Sequence, residues 1–71
     1  MAKEIKLSDG KTITMREPKA RDMLIAENAE SPMKQDVRLA ANLCNMTEDE
    51  VLDLNIKYYK LIQEAMKDFL S

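Results

Sequence analysis

Few residues of this chain have the type and spacing that a catalytic, metal-binding or phosphate-binding site requires. The sequence contains no histidine, so it lacks the usual acid and base at neutral pH and the commonest metal ligand. Its single cysteine, Cys44, lies near Leu43 and Met46 and is expected to be a buried, inert thiol. Gly10 is the only glycine, which argues against glycine-rich loops that bind phosphates. We therefore predict that the chain is not an enzyme and uses no cofactor or metal.

Carboxylates are the remaining candidates for a site. Glu48, Asp49 and Glu50 are consecutive, and calcium binding is the functional alternative for them. A calcium loop needs spaced oxygens and a tight glycine turn, which this segment lacks. The cluster instead suits the first turn of a helix, where the helix dipole favours negative charge. A pair of catalytic carboxylates needs a desolvated cleft, and a chain of 71 residues has little room for one. We therefore expect Asp22 and other acids of the first helix to face solvent.

The composition predicts one small globular domain over residues 1–71. The chain is 45% hydrophobic and 34% charged, enough for one core and a soluble surface. No apolar stretch at the start resembles a signal peptide or a membrane span, so we expect a cytoplasmic protein. The net charge is −2, with +1 in residues 1–38 and −3 in residues 39–71. Neither half has the positive charge that binding to nucleic acid requires.

Residues 3–15 alternate between apolar and polar types around a turn, which predicts an antiparallel β-hairpin. A three-residue loop that ends in a left-handed Gly10 places Ile5 opposite Ile13 and Leu7 opposite Lys11. This register collects the apolar side chains on one face. A two-stranded ribbon is not stable alone in water, so this face must pack on helices.

Capping residues, prolines and the spacing of apolar residues predict four helices in the rest of the chain, at about residues 18–29, 32–45, 47–54 and 56–70. Pro18 and the pair Ser31-Pro32 suit the starts of the first two helices, and Thr47 with Glu50 forms a capping box at the third. The first helix has an irregular apolar pattern. The second is predicted to be the central core helix, with a stripe of Met33, Val37, Leu39, Ala40, Ala41, Leu43 and Cys44. The fold class is therefore α+β, a hairpin packed on three to four helices.

The turn around Asn45 joins two predicted helices, so a small DNA-binding regulator of the helix-turn-helix type is an alternative function. A recognition helix needs donors and cations at its start. Here that position holds Glu48, Asp49 and Glu50, which phosphates repel. The charge pattern disfavours this alternative.

Three segments together resemble a known family. These are KEIKLSDGKTITM at residues 3–15, REPKARD at residues 16–22, and LCNMTEDEVLDL followed by a helix that begins with tyrosines within residues 39–59. The combination resembles the small tail assembly chaperones of contractile-tailed, Mu-like bacteriophages. The resemblance implies a non-enzymatic assembly factor in the cytoplasm of the infected bacterium. Such a chaperone binds the tape measure protein, helps tail-tube subunits assemble around it and is absent from the finished tail.

The resemblance also implies further partners, the tail-tube protein and a longer form of the chain made by ribosomal frameshifting. Residues 68–70 can be encoded by a slippery run, T TTT TTG, although the same residues also simply close an amphipathic helix. Codons for Phe69 and Leu70 other than TTT and TTG or TTA would remove this site. Self-association is a further alternative, because the backbone groups of an uncovered edge strand can pair with those of another copy.

The last helix and the hairpin-to-helix junction contain the residues that we predict to bind a partner. A wide apolar stripe on the last helix can serve the core at one edge and a partner at the other. The charged residues at the junction can orient a partner, or alternatively pair with one another locally. The predicted partner-binding residues are Arg16, Arg21, Asp22, Tyr58, Tyr59, Ile62, Met66 and Phe69.

Overall fold

A computed structural model describes residues 2–70 as two strands followed by four helices. In chain order the elements are β1 (Lys3–Lys6), β2 (Thr12–Met15), α1 (Ala20–Glu27), α2 (Pro32–Cys44), α3 (Glu48–Leu52) and α4 (Ile56–Leu70). The two strands pair antiparallel. The predicted α+β class and the order of its elements are confirmed.

The hairpin has the predicted register. Ile5 lies opposite Ile13, and the Leu7 N–H donates to the Lys11 carbonyl at 2.8 Å. Gly10 has φ +87°, a left-handed conformation that glycine adopts without the steric cost that a Cβ imposes. The Lys11 N–H also donates to the Asp9 carboxylate at 3.0 Å, which stabilises the turn. The register therefore follows from the apolar pattern and from one glycine.

The core lies between the hairpin and the helices α2 and α4. β2 packs on α2 and β1 packs on α4, while α2 also contacts α1 and α3. Met15 of the hairpin, Val37 of α2 and Ile62 of α4 are the centre of this core, each with at most 1% of its surface exposed. The Arg16 N–H donates to the Leu43 carbonyl at 3.0 Å, which fixes the end of β2 against α2. The prediction that α2 is the central helix agrees with these contacts.

The helix α1 is shorter than predicted at both ends. It begins at Ala20 because Lys19 stays extended and its N–H donates to the Asp22 carboxylate at 2.6 Å, so Lys19 is the N-cap. Pro18 lies before the helix and not in its first turn. The helix ends at Glu27, since Asn28 leaves helical geometry as the chain turns toward α2. The predicted range of 18–29 is therefore wrong by two residues at each end.

The helix α2 begins at the predicted residue, and the Ser31 hydroxyl accepts a hydrogen bond from the Lys34 N–H at 3.2 Å. It ends one residue earlier than predicted because Asn45 takes a left-handed conformation, with φ 54° and ψ 46°. One residue of the predicted core stripe is misplaced. Met33, in the first turn of α2, is 58% exposed and does not belong to the core.

The capping box of α3 is confirmed in both directions. The Thr47 hydroxyl accepts from the Glu50 N–H at 3.0 Å, and the Glu50 carboxylate accepts from the Thr47 N–H at 2.8 Å. The helix covers Glu48–Leu52 and not 47–54, since Thr47 is the N-cap and Asp53 the C-cap. The last helix, α4, has the predicted range.

Candidate partner-binding surfaces

The predicted site at the hairpin-to-helix junction is a buried carboxylate with charged and polar partners. The Arg16 guanidinium donates to Asp22 twice, from Nη2 to Oδ1 at 2.7 Å and from Nη1 to Oδ2 at 3.0 Å. The Asn42 side-chain amide of α2 also donates to Oδ1 at 2.6 Å. Asp22 is 1% exposed, so the prediction that it faces solvent is wrong. The network joins the hairpin, α1 and α2.

This network shifts the acidity of both partners. The Arg16 guanidinium and then the Lys19 N–H stabilise the carboxylate, and they lower the pKa of Asp22 from 3.8 to about 2. The hydrogen bond to Asp22 also raises the pKa of Arg16. Arg16 and Asp22 thus pair locally, which was the structural alternative for these residues. Arg21 does not share this network and lies exposed on α1.

The five predicted residues of α4 divide into two groups by burial. Ile62 is fully buried and Met66 is 5% exposed, so both contribute to the core and neither presents a free surface. Phe69 is half-buried, packs against the core and lies beneath the Lys3 ammonium, 5.3 Å from the ring centre. Tyr58 and Tyr59 are also half-buried. The tyrosines and Phe69 are therefore the only three of the five with surface left for a partner.

The two tyrosines differ in how their hydroxyl groups are satisfied. The Tyr58 hydroxyl accepts a hydrogen bond from the Ser8 N–H at 2.8 Å, and hydrogen bonding by Ser8 lowers the pKa of Tyr58. The Tyr59 hydroxyl oxygen is buried and has no hydrogen-bond partner among the described residues. Burial, and secondarily the charge of Asp36, raises the pKa of Tyr59. Tyr58 fixes the hairpin turn to α4, whereas Tyr59 has an unsatisfied polar group.

The exposed apolar side chains lie largely outside the predicted site. Three of them, Met23, Leu24 and Ile25, are consecutive on α1, and Leu24 is 67% exposed. The apolar residues of this helix are spaced irregularly along the sequence. That irregularity was the available signal, since a helix with one buried face shows regular spacing. Because Asp22 is the residue that α1 buries fully, its apolar side chains remain open to solvent.

A second apolar surface is a groove between α3 and α4, bordered by the start of α2. We call it the α3–α4 groove; its volume is about 330 Å³. Ile56 is 69% exposed and Leu52 is half-exposed, so the apolar lining is accessible from solvent. Tyr59 lies in the same lining. The lining residues are Met33, Val51, Leu52, Leu54, Ile56, Tyr59, Lys60 and Gln63.

The charged residues of α3 lie outside the lining of the α3–α4 groove. The first turn of α3 holds Glu48, Asp49 and Glu50, and Asp53 follows at its end. Arg38 of α2 lies 3.7 Å from one of these carboxylates, that of Glu48. The α4 side contributes a cation, Lys60. None of these four acidic residues of α3 and its C-cap lines the groove.

Catalytic and metal sites find little support in the described residues. Within residues 2–70 no group of three or more potential ligands is arranged to hold a metal ion. Cys44 is buried, and burial raises the pKa of its thiol to about 11, which keeps it protonated and unreactive. No helix in this range is long and apolar enough to cross a membrane.

Comparisons with known proteins identify the family. No curated protein and no solved structure matches the chain. A family model does match, over residues 3–71, and its description is "Phage tail assembly chaperone proteins, E, or 41 or 14". The match includes both strands and all four helices. The chain therefore belongs to this family of phage tail assembly chaperones.

Proposed function

We propose that this chaperone binds the tape measure protein of its phage and covers apolar helical segments of that protein while tail-tube subunits assemble. Membership of the tail assembly chaperone family supports the general role. A helical client with an apolar face needs a complementary apolar groove on its binder. The action that we propose is binding without catalysis, in the cytoplasm of the bacterial host of a contractile-tailed, Mu-like phage.

The observation that carries this proposal is the α3–α4 groove. Leu52 and Ile56 leave apolar surface open to solvent on either side of it. Exposed apolar surface of this kind is typical of sites that bind other proteins. We propose that the occupant is an amphipathic helix of the tape measure protein, with its apolar face in the groove.

Tyr59 and Phe69 fit the same proposal in different ways. Tyr59 lies in the groove lining, and its unsatisfied hydroxyl can hydrogen-bond to a polar group of a bound helix after a small rearrangement. Phe69 lies near the C-terminal end of α4, and we propose a contribution only from the part of its ring that stays exposed. Ile62 and Met66 are left out of the proposed contact because they are buried in the core.

The tail-tube protein and a frameshift-extended form of the chain are proposed as further partners. The support for both is the family's role in tail assembly. The nucleotide sequence that encodes residues 68–70 tests the extended form directly. A DNA-binding role is not proposed, because the first turn of α3 holds Glu48, Asp49 and Glu50.

Co-purification tests the proposed function. The tape measure protein of the same phage is expressed with an affinity tag, together with the untagged chaperone. We expect the chaperone to be retained with the tape measure protein and not with an unrelated protein that carries the same tag. Failure of the chaperone to co-purify in either its short or its extended form would contradict the proposal.

A further inference from the structure

The strand β1 has one edge that no other strand covers. Within the described part of the chain the sheet consists of β1 and β2 alone. Because Leu7 donates its N–H to Lys11, the alternation of an antiparallel ladder directs the backbone groups of Ile5 toward β2 as well. The N–H and C=O groups of Glu4 and Lys6 therefore point away from β2. These four backbone groups form a hydrogen-bonding edge.

The space beside this edge is large enough to receive another strand. An open groove of about 410 Å³ lies beside the outer edge of β1, and its lining on α4 includes Leu61 and Ala65. Leu61 is 40% exposed, so part of its side chain is open to solvent. A strand added to β1 would lie ~4.8 Å from it, above this part of α4. It would cover the exposed side of Leu61.

We propose that the outer edge of β1 pairs with the same edge of a second copy of this chain, so that two hairpins form one antiparallel sheet. A two-fold axis places identical strands antiparallel, as this pairing requires. The Ile5 side chains of both copies then lie on the face toward α4, where Leu61 lies in the groove. The proposal concerns the hairpin and does not depend on the identity of the client.

The charges on β1 select one register. Side chains that share a face must stay on that face, so the registers that bring these charged residues together place Glu4 or Lys6 of one copy opposite Glu4 or Lys6 of the other. Two registers place like charges opposite each other, Glu4 against Glu4 or Lys6 against Lys6, and are disfavoured. The third places each Glu4 opposite the partner's Lys6, and Ile5 opposite the partner's Ile5. This register pairs opposite charges, keeps the Ile5 side chains on one face and forms the backbone hydrogen bonds of an antiparallel ladder.

The expected dimer is weak. The third register forms four N–H to C=O hydrogen bonds, and its two ion pairs are exposed, as both side chains are exposed in the single chain. Exposed ion pairs contribute little to affinity, and the contact is small compared with a permanent dimer interface. Association should therefore depend on protein concentration.

Sedimentation equilibrium of the full chain and two charge-reversal variants tests this proposal. The wild type should form a dimer as concentration rises. Glu4→Lys and Lys6→Glu each place like charges opposite in the selected register, and each should weaken self-association by about tenfold or more. An equimolar mixture of the two variants should recover it, because the lysines of one chain then lie opposite the glutamates of the other.

A matched control separates this pairing from a general effect of charge. Glu27→Lys makes the same change of charge as Glu4→Lys at an exposed residue of α1 and leaves the edge of β1 intact. It should retain most of the wild-type association. A wild type that stays monomeric at all concentrations, variants that dimerise as the wild type does, or a mixture that fails to recover association would each overturn the proposal. Circular dichroism of every variant verifies that the fold is retained.

Discussion

Arg16 and Asp22 form a two-pronged ion pair that joins the end of the hairpin to the first turn of α1. The two hydrogen bonds measure 2.7 and 3.0 Å, and the carboxylate is buried although the Arg16 side chain is 44% exposed. Asp22 accepts from Asn42 as well, so α2 belongs to the same network. A buried carboxylate is tolerated only where donors satisfy it, and here three side-chain donors and one backbone N–H do so.

Replacement of Asp22 by asparagine should destabilise the fold. The variant keeps the size of the side chain but removes its charge, and an amide N–H2 would then face the donors of Arg16 or Asn42. We expect a loss of about 2 to 3 kcal/mol in the free energy of unfolding, measured by urea denaturation. Glu27→Gln, which neutralises an exposed acid on the same helix, should change it by less than about 0.5 kcal/mol. Equal stability of the Asp22 variant and the wild type would refute this role.

The same carboxylate should make stability depend on pH in the acid range. Its folded pKa of about 2 lies below the ordinary value of 3.8, so the stabilisation is fully present above about pH 4. It is lost as the pH falls from 4 toward 2, by about 1 to 2 kcal/mol after allowance for the exposed Arg16 side chain. Urea titrations at several pH values should show this loss in the wild type. The Asp22→Asn variant should show a smaller acid dependence, and an identical dependence in both proteins would contradict the assignment.

The neighbouring tyrosines should respond in opposite ways to the loss of their hydroxyl groups. Tyr59→Phe removes a buried oxygen that has no partner among the described residues, so the variant should be as stable as the wild type or more stable by up to about 1 kcal/mol. Tyr58→Phe removes the acceptor of the Ser8 N–H and should lower the Tm. Thermal denaturation of both variants checks the difference. A clear loss of stability in Tyr59→Phe would mean that its hydroxyl is satisfied in the folded chain.

The hairpin turn should be sensitive to any side chain at Gly10. A Cβ at this position would meet no atom within 4 Å, so the cost of Gly10→Ala is conformational and not a clash. With φ at +87°, we expect a loss of about 1 to 2 kcal/mol, measured by urea denaturation. Asn tolerates left-handed geometry better than Ala does, so Gly10→Asn should lose less. An alanine variant as stable as the wild type would show that the turn can adopt another conformation.

The contrast between the hairpin and α1 shows which features the sequence could predict. The register of Ile5 and Ile13 follows from local alternation and one glycine, so neighbouring residues were sufficient to predict it. The burial of Asp22 depends on Arg16 and on Asn42, which is 20 residues away along the chain, and no local pattern contains that information. The same network determines which side of α1 faces α2, and therefore that Leu24 is exposed.

The candidate site was predictable only in part for a similar reason. The apolar stripe predicted on α4 included Tyr59, which lies in the α3–α4 groove, but helical spacing could not distinguish it from the buried Ile62. That separation depends on which side of α4 the hairpin covers. Leu52 and Met33 were missed because the groove forms only when α2, α3 and α4 come together.

The most direct test of the proposed function is calorimetric titration of the chaperone with purified tape measure protein, or with helical fragments of it. Ile56→Asp places a charge in the α3–α4 groove at the first residue of α4, where the helix dipole tolerates an acid. Leu24→Asp makes the same kind of change at a similarly exposed leucine on α1. We predict that the wild type and Leu24→Asp bind with similar affinity and that Ile56→Asp binds at least about tenfold more weakly. Undiminished binding by a folded Ile56→Asp variant would contradict the assignment of the groove, and absence of binding by the wild type would contradict the function itself.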